Sequence, residues 1–234
     1  MMIIAVFVAL TLLGHPQSSA TTISSPSYWN SLQALSQTVA ALSNQIRRGN
    51  AIYTRWGRSS CPSRSSLIYE GLAAGSWYSV AGGGANYLCM PSDPEWSHVK
   101  HRTHACGSFL YGSEYQTCNN DIFSTRNAKA NTLEHQDVPC AVCQTTSRQQ
   151  QLMIPARMVC PAGWTQEYQG FLMSAHPSHR RTQYVCVDSE PEALAHGQRD
   201  ENGALFYTVR VKCGTLPCPP YTDDEEIPCV VCSR

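Results

Sequence analysis

Hydrophobic and polar positions follow three rhythms along this chain. The clearest is helical: Leu32, Leu35, Val39, Leu42 and Ile46 recur at intervals of three, four, three and four, with neither Gly nor Pro from Trp29 to Arg48. That period predicts an amphipathic helix over 29–49 with a narrow heptad stripe. Arg47 and Arg48 suit its C-terminus and Gly49 its cap. A stripe two positions per heptad wide is narrower than a core-facing helix normally carries, so these five residues are the predicted oligomerisation face, although about two and a half heptads is short for a stable coiled coil. Upstream, Met1 to Gly14 is apolar and free of charged side chains, and Ser18-Ser19-Ala20 is small where a signal peptidase reads. This predicts a secretory signal over 1–20, cleaved after Ala20, and a flexible Ser/Thr-rich segment over 21–28. Ile3 to Leu13 is too short to span a bilayer, so no membrane anchor is expected.

From Cys61 onward the helical period disappears and Gly, Ser, Tyr and Val become common, as in a β-rich domain. The third rhythm is a long one. Val138-Pro139-Cys140-Ala141-Val142-Cys143 returns as Ile227-Pro228-Cys229-Val230-Val231-Cys232. Cys61-Pro62 runs ten residues to Gly71, and Cys160-Pro161 runs ten residues to Gly170. Asn86-Tyr87-Leu88-Cys89 is answered by Gln183-Tyr184-Val185-Cys186, and a local pair follows in each half, Cys106 with Cys118 and Cys213 with Cys218. The expected fold is therefore mainly β: a tandem-duplicated, disulfide-rich β domain preceded by a short amphipathic helix. Its parts are a β subdomain over 61–143, a connecting segment over 144–159 and a second β subdomain over 160–234.

A Cys-x-x-Cys pair can be a redox dithiol, half a zinc site, or two halves of two disulfides. Redox pairs normally open a helix, where amide groups stabilise a thiolate. Here Val142, Val230 and Val231 favour strand, and Pro139 and Pro228 press the preceding residues toward extended geometry. Positions three apart in a strand face opposite sides, so each cysteine is placed to staple a different neighbour. Twelve cysteines, all after the signal, predict six disulfides in an oxidising compartment. If the closing strand staples two others, the first and second cysteines of each half reach back to it and the third and fourth close a small loop. Closing a loop of about 80 residues is worth roughly 4 kcal/mol. Which long-range cysteine meets which member of the closing pair stays open on these grounds.

Composition narrows the function. Acidic and basic residues balance at 17 each and only 15% of residues are charged, so no nucleic-acid partner is indicated. The segment Glu95 to His104 holds histidines 98, 101 and 104, which would share a helix face but lack a helix start, and reads as a solvated loop. Asp223-Asp224-Glu225-Glu226 reads as an exposed acidic turn rather than a calcium site. His135 and Asp137, just before the first closing strand, are ambiguous in the same way. Gly82-Gly83-Gly84 lacks the Lys and Ser/Thr of a phosphate-binding loop. The aromatics Trp77, Tyr78, Tyr87, Trp96, Tyr111, Tyr115, Trp164, Tyr168 and Tyr184 suit either sugar stacking or half-buried strand positions. No nucleophile, base and orienting group stand together, so no enzyme, cofactor or metal is predicted.

Cys140-Ala141-Val142-Cys143, then Leu152-Met153-Ile154-Pro155, then Cys160-Pro161-Ala162-Gly163-Trp164 and Tyr168-Gln169-Gly170-Phe171-Leu172-Met173 resemble the passage between the two halves of the non-collagenous C-terminal domain of type IV collagen. The resemblance is closer still to the C-terminal domain of sponge short-chain collagens and related secreted invertebrate proteins, and it covers Cys61 to Arg234. It implies two similar β subdomains about a pseudo-twofold axis. It also implies disulfides joining Cys61 to Cys143, Cys89 to Cys140, Cys106 to Cys118, Cys160 to Cys232, Cys186 to Cys229 and Cys213 to Cys218. The glycine-every-third-residue tract of a collagen is absent, and the heptad segment stands in its place. The function this implies is that of a secreted, extracellular, non-enzymatic matrix protein. It would self-associate through helix and head, with matrix proteins or glycans as partners. The rival expectation is a soluble lectin-like recognition or defence protein binding glycans through the loops Ala81 to Asn86 and Trp96 to His104.

Overall fold

The computed structural model describes residues 26–46, 49–96, 107–118, 122–128, 132–195 and 197–234. The signal segment with Ala20, the pair Arg47 and Arg48, histidines 98, 101 and 104, and Cys106 lie outside the described residues. The chain divides into two units, Met1–Gln45 and Ile46–Arg234.

Helix α1 spans Pro26–Ile46. It starts three residues earlier than the heptad pattern places it, because proline is well suited to a first helical position, where no N–H is needed and φ is already helical. Ser31 and Thr38 turn their hydroxyls back onto the carbonyls of Ser27 and Ala34, which lets polar residues sit in the helix without an unpaired group. Leu32, Leu35, Val39 and Leu42 are all exposed. Among the described residues no helix is long and apolar enough to cross a membrane.

The second unit is mainly β and carries five disulfides. Its strands are β1 (Ile52–Trp56), β2 (Ser65–Gly75), β3 (Leu88–Pro91), β4 (Tyr111–Gln116), β5 (Pro139–Thr145), β6 (Gln151–Pro155), β7 (Thr165–Ser174), β8 (Val185–Asp188), β9 (Ala204–Thr208) and β10 (Pro228–Ser233). They form one sheet in the order β6-β10-β7-β8-β1-β5-β2-β4-β9, with β3 on β2. Strand β9 also pairs β7, which closes seven strands into a ring.

Two strands lie outside the boundaries that the cysteines suggested. β1 precedes Cys61, and β6 sits inside the segment 144–159, which is therefore a sheet strand rather than a connector. Each flanks a closing strand: β5 lies between β1 and β2, and β10 between β6 and β7. The long strands β2 and β7 each serve three neighbours in turn, β5, β3 and β4 for one, β10, β8 and β9 for the other. Where they cross from one neighbour to the next stand Gly71 and Gly170. A Cβ built there would sit 1.6 Å from the Met90 carbonyl oxygen or 1.7 Å from that of Val187, so only glycine lets the backbones meet.

The closing strand β5 divides its side chains between two cores. Cys140 and Val142 join Trp56, Tyr87, Tyr115, Met173 and Phe206, while Ala141 and Cys143 join Tyr53, Tyr168, Leu172 and Val231. This is the alternation of a strand buried on both faces. Both cores draw residues from before and after the middle of the chain, and the pairings β1 with β8 and β4 with β9 run across it as parallel contacts.

Candidate functional site

The cysteines meet where the strand register carries them. Cys61 is bonded to Cys143 and Cys89 to Cys140; Cys160 is bonded to Cys232 and Cys186 to Cys229; Cys213 is bonded to Cys218. Each closing strand thus ends one disulfide on either face, and Cys140 and Cys143 bond different partners as their opposite orientation requires. Cys118 is exposed, and Cys106 is outside the described residues.

Between the two halves lies a buried polar seam built on a β-bulge. In β7 the pairing with β10 skips Glu167, and in β2 the pairing with β5 skips Ile68. A bulge re-aims the extra side chain. Glu167 turns inward, with its side chain fully buried. Its Oε1 accepts from Arg148 Nη2 at 2.9 Å, from Arg148 Nε at 3.2 Å and from the Ser233 hydroxyl. Its Oε2 accepts from Ser65 at 2.8 Å and Tyr53 at 3.0 Å. Burial alone would raise this carboxyl, but the hydroxyls of Ser233, Ser65 and Tyr53 and the charge of Arg148 bring it below its ordinary range. Alongside, Arg55 on β1 pairs with Asp188 on β8 at 2.7 Å. Tyr168 donates toward the carbonyls of Thr54 and Cys186.

A second polar group gathers on β4. The segment 135–138 runs antiparallel beside that strand, through His135 N–H to the Tyr115 carbonyl, Tyr115 N–H to the Gln136 carbonyl and Val138 N–H to the Ser113 carbonyl. This brings His135 and Asp137 to Glu114. From the other side the turn before β9 folds over, and Glu114 Oε1 accepts the backbone N–H groups of Glu201 and Asn202, both at 2.8 Å. Asp200 on the same turn faces His135 Nδ1 at 3.4 Å. Burial, then the Asp200 and Asp137 charges, hold Glu114 above the usual carboxylate range; backbone N–H bonds only partly offset this. Burial and the Glu201 charge raise Asp137 as well. Neither Glu114 nor Asp200 carries a local sequence signal, since each lies in a segment whose partners are distant in the chain.

No protein-family model matches the chain. The remaining surface sorts the aromatics and acidic residues by environment. Tyr87, Tyr115 and Tyr168 are core, Trp96 and Tyr184 are exposed, and Trp77 stands edge-on to Tyr111 with ring centroids 5.1 Å apart. The acidic turn at 223–226 is occupied with cations of its own: Lys212 meets Asp223 at 3.3 Å, and Arg210 meets Glu226 at 2.9 Å. Loop 81–85 lines an open cleft with Trp77, Tyr78 and Arg180, whereas Trp96 lies apart from that lining.

Proposed function

We propose that this is a secreted, non-enzymatic structural or interaction protein of the extracellular matrix, resembling a collagen C-terminal head carried on a short helical stalk, and that it acts by self-association. One difference between matching positions carries the reading. Tyr69 and Tyr168 both follow the bulge and both donate to the carbonyl of a half-cystine, Cys89 and Cys186 respectively. Tyr168 is 5% exposed because β1 lies over it, while Tyr69 is 36% exposed beside exposed Leu67, Ile68 and Leu72. The strand matching β1 in the second half is β6, which hydrogen-bonds only to β10, and the strand matching β8 is β3, which hydrogen-bonds only to β2. A tandem duplication thus leaves one face and one edge uncovered that a second copy complements head to tail. The exposed stripe of Leu32, Leu35, Val39 and Leu42 supports the same role for the helix.

The test is mass in solution by sedimentation equilibrium at micromolar concentration. A multiple of 25.8 kDa, less the signal, is expected. Ile68→Arg in the head and Leu35→Glu with Val39→Glu in the helix should each lower it, and a single-chain mass for the wild type refutes the reading. The cleft beside loop 81–85, with its indole, phenol and guanidinium groups, supports the second reading, a glycan-binding recognition protein. Glycan-array binding lost on Trp77→Ala, in a protein of single-chain mass, would favour that alternative.

A further inference from the structure

We propose that Glu114, His135 and Asp200 form a binding site for a first-row divalent transition-metal cation such as zinc or manganese, where β4 meets the turns leading into β5 and β9. Each residue offers one donor atom, and the three atoms lie within 4.8 Å of one another. A cation about 2.0 to 2.2 Å from each ligand holds its donors no more than about 4.4 Å apart, so the three need close only slightly.

The proximity of two carboxylates to a histidine would not by itself indicate a site. Glu114 does so through its second oxygen. The residue is 1% exposed, Oε1 takes two backbone N–H groups, and Oε2 is buried with no hydrogen-bond partner. A buried carboxylate oxygen without a donor is costly, and the nearest additional charges on Glu114 are those of Asp200 and Asp137, which are negative as well. A cation supplies the missing partner to Oε2 and relieves the repulsion together.

The donor set selects the class of ion. Calcium and magnesium prefer all-oxygen ligands, whereas an imidazole with two carboxylates suits zinc or manganese. His135 is also braced as a ligating imidazole is. Its Nδ1 faces Asp200 Oδ1 at 3.4 Å and its Nε2 faces Glu134 Oε1 at 3.8 Å, a placement that leaves one nitrogen for the ion and turns the other toward a carboxylate. Gln116 Nε2 stands 3.2 Å from the same Nδ1 and has to rotate, presenting its oxygen or withdrawing.

Isothermal titration of the full chain with zinc, manganese and calcium chlorides tests the site. One zinc or manganese ion per chain is expected, with affinity at least about tenfold weaker in His135→Ala and in Asp200→Asn. Both side chains are partly exposed, so both variants should melt with the wild type in the presence of a chelator, which separates loss of a ligand from loss of the fold. A wild-type chain that takes up neither zinc nor manganese, or that prefers calcium, overturns the proposal. So does zinc binding that survives His135→Ala and disappears in the double variant His98→Ala with His104→Ala.

Discussion

Replacing Glu167 by Gln should destabilise the head by about 3 kcal/mol at pH 7, and less in acid. The carboxylate accepts five hydrogen bonds, two of them from Arg148, in a place with no solvent. Bonds to a charged group contribute about 1.5 to 3 kcal/mol each, against about 0.5 to 1.5 for neutral pairs, so neutralising the acceptor weakens each by roughly 1 kcal/mol. The three hydroxyls can rotate to meet the new amide, which recovers part of the loss. What remains approaches the roughly 3 to 5 kcal/mol seen when one partner of a buried pair is removed. Arg148→Met, which strands the carboxylate among neutral donors, should cost about as much. The double variant should cost clearly less than the sum, by about 2 kcal/mol, since the two side chains share one network. Urea denaturation with the disulfides intact reads these differences as shifts in midpoint at constant slope. The pH dependence has a definite sign. The folded carboxyl is held below its ordinary 4.5, so its contribution is complete above that pH and is lost as pH falls through the lower folded value. The gap between wild type and Glu167→Gln should therefore be widest at neutral pH and narrow below about pH 4. A gap under about 1 kcal/mol at pH 7, or one that widens on acidification, would refute the assignment of Glu167 as the charged centre of the seam.

Two further outcomes follow from packing and loop closure. Removing the Cys61 to Cys143 bond by paired alanine substitutions frees a separation of 82 residues and should cost about 4.5 kcal/mol, whereas removing the Cys213 to Cys218 bond, with a separation of 5, should cost about 2 kcal/mol; equal losses in thermal unfolding would contradict this ordering. Phe206 is fully buried, stacked on Tyr87 at 4.1 Å, so Phe206→Ala should cost about 3 to 5 kcal/mol in the same assay, and a loss under about 1 kcal/mol would mean that this core closes around the gap.

Local pattern carried a good deal of this molecule. The spacing of Leu32 to Ile46 marks the helix because a 3.6-residue period is written in consecutive residues. Pro139 and Pro228 with their valines mark the two closing strands for a similar reason, and the cysteine order brings out the long repeat. The strands β1 and β6 escaped because they are five residues each and lie on the far side of the cysteines taken as boundaries. Glu167 looked like a surface residue within Thr165-Gln166-Glu167-Tyr168, since strand alternation cannot announce a bulge. Glu114 had the same disguise in the middle of β4.

By itself the sequence determined that the chain has a helix with one apolar stripe, that the rest is extended and rich in cysteine, and that its second half echoes its first. Those are properties of neighbouring residues and of composition. Only the tertiary structure decided that β1 lies over the second half while its counterpart β6 stays at an edge, that Arg148 and Glu167 meet, and that His135 and Asp200 converge on Glu114. These depend on parallel and antiparallel pairings between segments dozens of residues apart, and no period along the chain records which distant strand will be the neighbour.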